Sequence, residues 1–157
     1  MSHCWRLDDG HQTLVLATKG DLLPQVVYWG KPLPTSDTSA VLAEAHQQDF
    51  TGGMLDGNPD LSLCPEASQS FPGQPGLRCR NTQGALLHPK FRFLSAEESA
   101  NNLVLTYQDK ALGITYEANF VLTPQTGLIT AWTRLTSTKP IWLQWLAAPV
   151  FPAPQNS

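Results

Sequence analysis

The sequence predicts an all-β fold, an antiparallel β-sandwich with one short helix near residues 39–48. Three observations carry that expectation. Only Ser39-Ala-Val-Leu-Ala-Glu-Ala-His-Gln-Gln48 has a helical composition, following possible caps at Ser36, Asp37 and Ser39. The C-terminal half alternates apolar and polar residues with a period of two. Gly and Pro (11 and 13 residues) punctuate short β-branched runs throughout the 157-residue chain.

In chain order, Thr13-Leu-Val-Leu-Ala17 and Gln25-Val-Val-Tyr-Trp29 read as strands separated by a turn at Lys19-Gly-Asp21. Two prolines in Gly30-Lys-Pro-Leu-Pro34 remove ladder donors and end the second strand. From Asp49 to Gly84 the chain reads as one long Gly/Pro-rich loop, longer than the ~12–15 residues at which loops become functional or disordered. Its Phe50, Met54, Leu55, Leu61, Leu63, Phe71 and Leu77 favour an ordered, packed loop. Asn102–Gln108 places Leu103, Leu105 and Tyr107 on one face. Ile114, Tyr116, Ala118, Phe120 and Leu122 alternate against Thr115, Glu117 and Asn119. The turn Thr123-Pro-Gln-Thr-Gly127 leads into a returning strand, Leu128–Thr136, completing a long hairpin. A further strand, Ile141–Leu146, follows Lys139-Pro140. The domain is expected to span residues 1–148, with 149–157 a Pro-rich tail.

Composition narrows the function classes. Charged residues are 15% of the chain, against about 25% in ordinary globular domains, and the net charge is −3. Without a Lys/Arg cluster, neither nucleic acid nor an anionic membrane is an expected partner. No apolar run approaches the ~18 residues of a membrane span. The N-terminus lacks the apolar stretch of a secretory signal, and Cys4, Cys64 and Cys79 form an odd set without a CxxC pair. Reduced thiols and a cytoplasmic location are therefore expected.

Catalytic motifs are absent: there is no G-x-G-x-x-G, Walker A, G-x-S-x-G or H-E-x-x-H. His3, His11, His46 and His88 are scattered, so neither a metal nor any other cofactor is expected. Acidic side chains matter because paired carboxylates drive glycoside hydrolysis. The candidates are Asp49, Asp56, Asp60 and Glu66, all in the long loop. Asp56 in Leu-Asp-Gly-Asn-Pro also suits a simple Asx-type turn, and Glu66 suits an ion pair with Arg78 or Arg80. Trp29 closes a strand, where an indole can face a sugar. Trp132, Trp142 and Trp145 lie within strands, where core packing is the expected role.

Four segments in order carry a family resemblance. They are Leu22 to Lys31, ending Tyr-Trp-Gly-Lys; Leu61-Ser-Leu-Cys-Pro-Glu66, running on to Phe-Pro-Gly and an Arg; Leu103-Val-Leu-Thr-Tyr-Gln-Asp109 followed by Gly113-Ile-Thr-Tyr; and Leu128–Thr136. Together they resemble the N-terminal region of bacterial α-galactosidases of glycoside hydrolase family 36, over about Leu14 to Trp145. The resemblance implies a segment of a β-supersandwich, with a (β/α)₈ barrel elsewhere in the polypeptide. That barrel would hold the two aspartates that hydrolyse terminal α-galactosides with retention, so no catalytic residue is expected in this chain, which is expected to be truncated within the sandwich and inactive alone. It further implies packing on the barrel, homo-oligomerisation, and a loop offered to an α-galactoside site. Asp56 or Asp49 would be the sugar-facing carboxylate of that loop, with Trp29 close by. One departure stands out: Gly73-Gln-Pro-Gly-Leu-Arg78 has Gly76 where many members carry Asp. Two alternatives remain, a free-standing carbohydrate-binding module and a structural interaction domain.

Overall fold

A computed structural model describes residues 3–45, 61–69 and 71–152. The described residues form ten strands: β1 (Cys4–Asp8), β2 (Thr13–Ala17), β3 (Gln25–Gly30), β4 (Leu77–Asn81), β5 (Leu86–Leu87), β6 (Arg92–Glu98), β7 (Asn102–Asp109), β8 (Ile114–Thr123), β9 (Leu128–Ser137) and β10 (Ile141–Leu146). One α-helix, α1 (Thr38–Ala45), covers the described part of the expected helix; residues 46–48 lie outside the described segments. The strands form three antiparallel sheets, ordered β1-β2-β3, β10-β4-β5 and β6-β7-β8-β9.

Period-two patterning sets the main sheet. β7 and β8 pair over eight positions, with Leu105 opposite Ala118 and Tyr107 opposite Tyr116. Leu103, Leu105, Tyr107, Ile114, Tyr116, Ala118, Phe120 and Leu122 are all buried on the inner face. The β8–β9 hairpin runs in register from Ile114↔Ser137 to Thr123↔Leu128. Its turn closes through the Gly127 N–H to Thr123 O at 2.9 Å, with Gly127 at φ +66°. The first sheet packs across this face: Phe93 stacks on His3 at 4.4 Å and meets Tyr107 edge-on at 5.6 Å. β2 is buried along its whole length, as a central strand covered on both faces must be.

Three expectations need correction. The stretch 49–84 is not one loop, because Leu77-Arg-Cys-Arg-Asn81 forms β4, burying Leu77 and Cys79 while exposing Arg78 and Arg80. Leu63 is pinned from both sides: its N–H donates to Pro24 O at 2.9 Å, and its carbonyl accepts from the Val150 N–H at 2.8 Å. Second, Trp132, Trp142 and Trp145 are not core residues; they are 43%, 66% and 48% exposed. Ile129, Ala131 and Leu135 take the inner positions of β9, which turns Trp132 outward opposite Asn119. In β10 a register shift between Leu143 and Trp145 sets Trp142 opposite Arg80 and Trp145 opposite Arg78, on one outward face. Third, Glu66 takes backbone and hydroxyl partners rather than Arg78 or Arg80, as described below. Within the Pro-rich stretch, residues 149–152 pack against the fold: Pro149 is buried, and Phe151 meets Trp29 edge-on at 5.1 Å.

Candidate functional site

Two places gather polar side chains around the residues expected to act. The first is the chain that precedes the Asp49–Asp60 stretch. Asp49 and Asp56 lie outside the described residues, but the chain leading to them is firmly held. The Arg6 guanidinium on β1 donates to the Asp8 carboxylate and to the Leu33 carbonyl, and approaches Thr38 Oγ1 at 3.4 Å. Thr13 Oγ1 donates to Asp8 at 2.7 Å and accepts the Leu33 N–H at 3.0 Å. Burial works to raise the Asp8 pKa, but the Thr13 hydroxyl, the Gly10 N–H and Arg6 outweigh it and hold this carboxyl below the usual range. This cluster fixes the start of α1 against β1 and β2. Trp29 closes β3 half-buried, its Nε1–H donating to Gln12 Oε1 at 3.0 Å. With its N–H so engaged, the indole has ring surface but no polar donor for a sugar.

The second place is a cavity of about 180 Å³ that sequence reasoning missed. Three separate segments wall it: Cys64–Ser68, Pro75 to Arg78, and Leu86 to Phe91. The β4–β5 pairing, Cys79↔Leu87 and Arg80↔Leu86, brings the last two together. Trp29 is not part of its wall. The lining is mostly apolar, with Glu66 as its buried acid, 8% exposed. Glu66 Oε1 accepts the Phe91 N–H at 3.0 Å. The Ser68 hydroxyl lies 3.5 Å from Oε1 but donates better to Pro89 O at 3.0 Å. Burial pushes the Glu66 carboxyl above its ordinary range, and the Phe91 N–H and the Arg92 charge only partly offset this. Burial also pushes the neighbouring Cys64 thiol up to about 12, so it stays protonated and unreactive. A mostly apolar hollow with one carboxyl suits an apolar side chain better than a sugar. Among the described residues, no three His, Cys, Asp or Glu side chains are grouped to hold a metal.

A raised folded-state pKa means the unfolded chain loses this proton first as pH rises. The penalty from Glu66 is absent well below 4.5 and grows as pH climbs from there through the raised folded value. Glu66→Gln keeps an oxygen for the Phe91 N–H and removes the charge. Urea unfolding at pH 4 and pH 7 should therefore show the Gln variant gaining on the parent as pH rises; a difference independent of pH would refute the assignment.

Comparison with known proteins gives the fold a context. The model of the glycosyl hydrolase family 36 N-terminal domain matches residues 22–157. A search of curated proteins finds no match. Among solved structures, the α-galactosidase from Lactobacillus brevis superimposes with a TM-score of 0.69 at 13% identity, over 92% of this chain and 23% of that one. A family 36 α-galactosidase AgaA variant from Geobacillus stearothermophilus, in complex with 1-deoxygalactonojirimycin, gives 0.71 at 13%, over 92% and 24%. The galactosidase domain of the α-galactosidase–sucrose kinase AgaSK gives 0.71 at 15%, over 93% and 24%. The chain thus spans about a quarter of the length of these structures, and at such identities the likeness speaks for the fold alone.

Proposed function

The chain belongs to the glycosyl hydrolase family 36 N-terminal domain family, and we propose that it serves as a non-catalytic β-sandwich within a longer, cytoplasmic α-galactosidase. In this reading it packs on the catalytic barrel of the same polypeptide, takes part in homo-oligomer contacts, and lends the Asp49–Asp60 stretch to an α-galactoside site. The observation that carries it is that β9 and β10 leave five large apolar side chains exposed: Leu128, Trp132, Trp142 and Trp145, and Leu143 on the other face of β10. A domain with so little charge does not usually leave five such residues in water, and a concentration of this kind marks a surface covered by another body. The Arg6–Asp8–Thr13 cluster supports the loop role, since it rigidly seats the segment that runs into Asp49 and Asp56.

Kinetics of the longer polypeptide translated from the same gene test the loop role. A carboxylate that hydrogen-bonds a sugar hydroxyl contributes about 1.5–3 kcal/mol. Asp56→Asn, or Asp49→Asn, should accordingly lower kcat/KM for an α-galactoside by about 10- to 150-fold with little change in Tm. Unchanged kinetics in both variants would rule the loop role out.

A second reading has its own support. Trp142 and Trp145 share one face beside Arg80 and Arg78, the kind of aromatic platform a carbohydrate-binding module presents. Galactose titration of the isolated chain, followed by tryptophan fluorescence, separates the two readings. The packing role expects weak binding or none, whereas saturable quenching removed by Trp142→Ala favours the module.

A further inference from the structure

The cavity beside β4 and β5 holds a carboxyl group that the fold buries without giving it a counter-ion. Glu66 is 8% exposed; its Oε1 takes the Phe91 N–H at 3.0 Å, with the Ser68 hydroxyl at 3.5 Å. Among the described residues nothing donates to Oε2, and no Lys, Arg or His lies within ion-pair distance of either oxygen. The neighbouring cations are engaged elsewhere or face water: Arg92 Nη1 donates to the Phe91 carbonyl at 2.8 Å, and Arg78 and His88 are exposed. Asp109, itself 7% exposed, adds a second buried carboxyl whose charge opposes ionisation of Glu66. A carboxylate out of water and unpaired is costly, and a cation that reaches it relieves the cost.

The remaining walls set the size and character of the group that can bring such a cation. They are mostly apolar, with Pro75, Leu77, Leu86, Leu87, Pro89 and Phe91 among them. The volume of about 180 Å³ compares with the roughly 150 Å³ hollow that takes up one benzene ring. Leu86 in this wall is 41% exposed, so the hollow opens to solvent. A bare inorganic cation would leave the apolar volume unfilled, and a sugar would leave hydroxyls unpaired against it.

We propose that this cavity is a binding site for a small organic ammonium compound, its charged head on the Glu66 carboxylate and a ring-sized apolar body against Leu87 and Phe91. The head makes a charge-assisted hydrogen bond, about twice as strong as one between neutral groups. Neither Trp29 nor any residue of β9 or β10 lines the cavity, so the inference does not depend on the α-galactosidase reading.

Titration of the 157-residue chain at neutral pH with benzylamine, and with benzyl alcohol as its uncharged counterpart, tests this by amide NMR. Benzylamine should bind saturably and at least about ten-fold more tightly than benzyl alcohol. The amide signals of Ser68, Leu87 and Phe91 should move, and those of Trp142 and Trp145 should stay. Glu66→Gln keeps an acceptor for the Phe91 N–H, so it should erase the ten-fold preference and retain binding of benzyl alcohol. Equal affinities for the two probes, no saturable binding of benzylamine, or shifts confined to residues outside the cavity wall would each overturn the proposal. A preference for benzylamine that survives Glu66→Gln would overturn it as well. The two probes decide on the parent chain even without the variant.

Discussion

Replacing Gly76 by Asp should cost this domain about 3–5 kcal/mol. A Cβ at Gly76 would stand 2.8 Å from Cys64 Sγ, 2.9 Å from Cys64 Cα and 3.1 Å from Pro65 Cδ. The second of these neighbours is a main-chain atom, so no rotamer change relieves the clash. Both sides of Gly76 are also tied down: its N–H donates to Pro65 O at 2.9 Å, and its carbonyl accepts the Ala147 N–H at 2.8 Å. A methyl alone overpacks such a site by about 1–3 kcal/mol, so Gly76→Ala should fall in that range. The carboxylate adds desolvation in a neighbourhood that already holds the buried Glu66. Urea denaturation reads both variants; an Asp variant as stable as the parent would contradict this packing. Residues 64–65 thus lie against the space a side chain at Gly76 would need.

Phe91→Ala should be comparably severe, at about 3–5 kcal/mol. The ring is 1% exposed and tilts against Tyr116 at 5.5 Å, joining the main core to the cavity wall. Removing it opens space beside an existing hollow of about 180 Å³, which leaves little opportunity for collapse. For a domain of this size the loss corresponds to a Tm lower by about 10 °C, measurable by circular dichroism. The main-chain N–H that holds Glu66 survives the substitution, so the pH dependence assigned to Glu66 should persist. A shift of only a degree or two would show that Phe91 does not bridge core and cavity.

The main sheet was legible because β7 and β8 are wet on one side, so Leu103, Leu105, Tyr107 and the Ile114–Leu122 series announce their face. β10 was legible as a strand but not in its exposure. Apolar residues at nearly every position read as burial on both faces, and the bulge that aligns Trp142 with Trp145 leaves no mark in the sequence. β6 was missed for the opposite reason: Ser95-Ala-Glu-Glu98 has a helix-like composition, and pairing with β7 overrides it. β4 was hidden because five residues of alternation, Leu77 to Asn81, sit against a Gly/Pro-rich stretch.

The candidate site divides along similar lines. Trp29 was correctly read as closing a strand, but only the structure ties its N–H to Gln12. Glu66 stood out as an acid in the Gly/Pro-rich stretch, yet its cavity is assembled from three segments joined by a two-residue strand, β5, which carries too little pattern to find. Asp49 and Asp56 lie outside the described residues, and their role rests on the kinetic test above.

The most direct test of the account is hydrolysis of p-nitrophenyl α-galactoside, measured on the 157-residue chain and on the longer polypeptide that the proposed function requires the same gene to encode. A non-catalytic sandwich domain of an α-galactosidase predicts turnover by the longer polypeptide and none by the chain alone. Turnover that copurifies with the isolated chain and scales with its concentration, or a longer polypeptide that leaves the substrate intact, would contradict it.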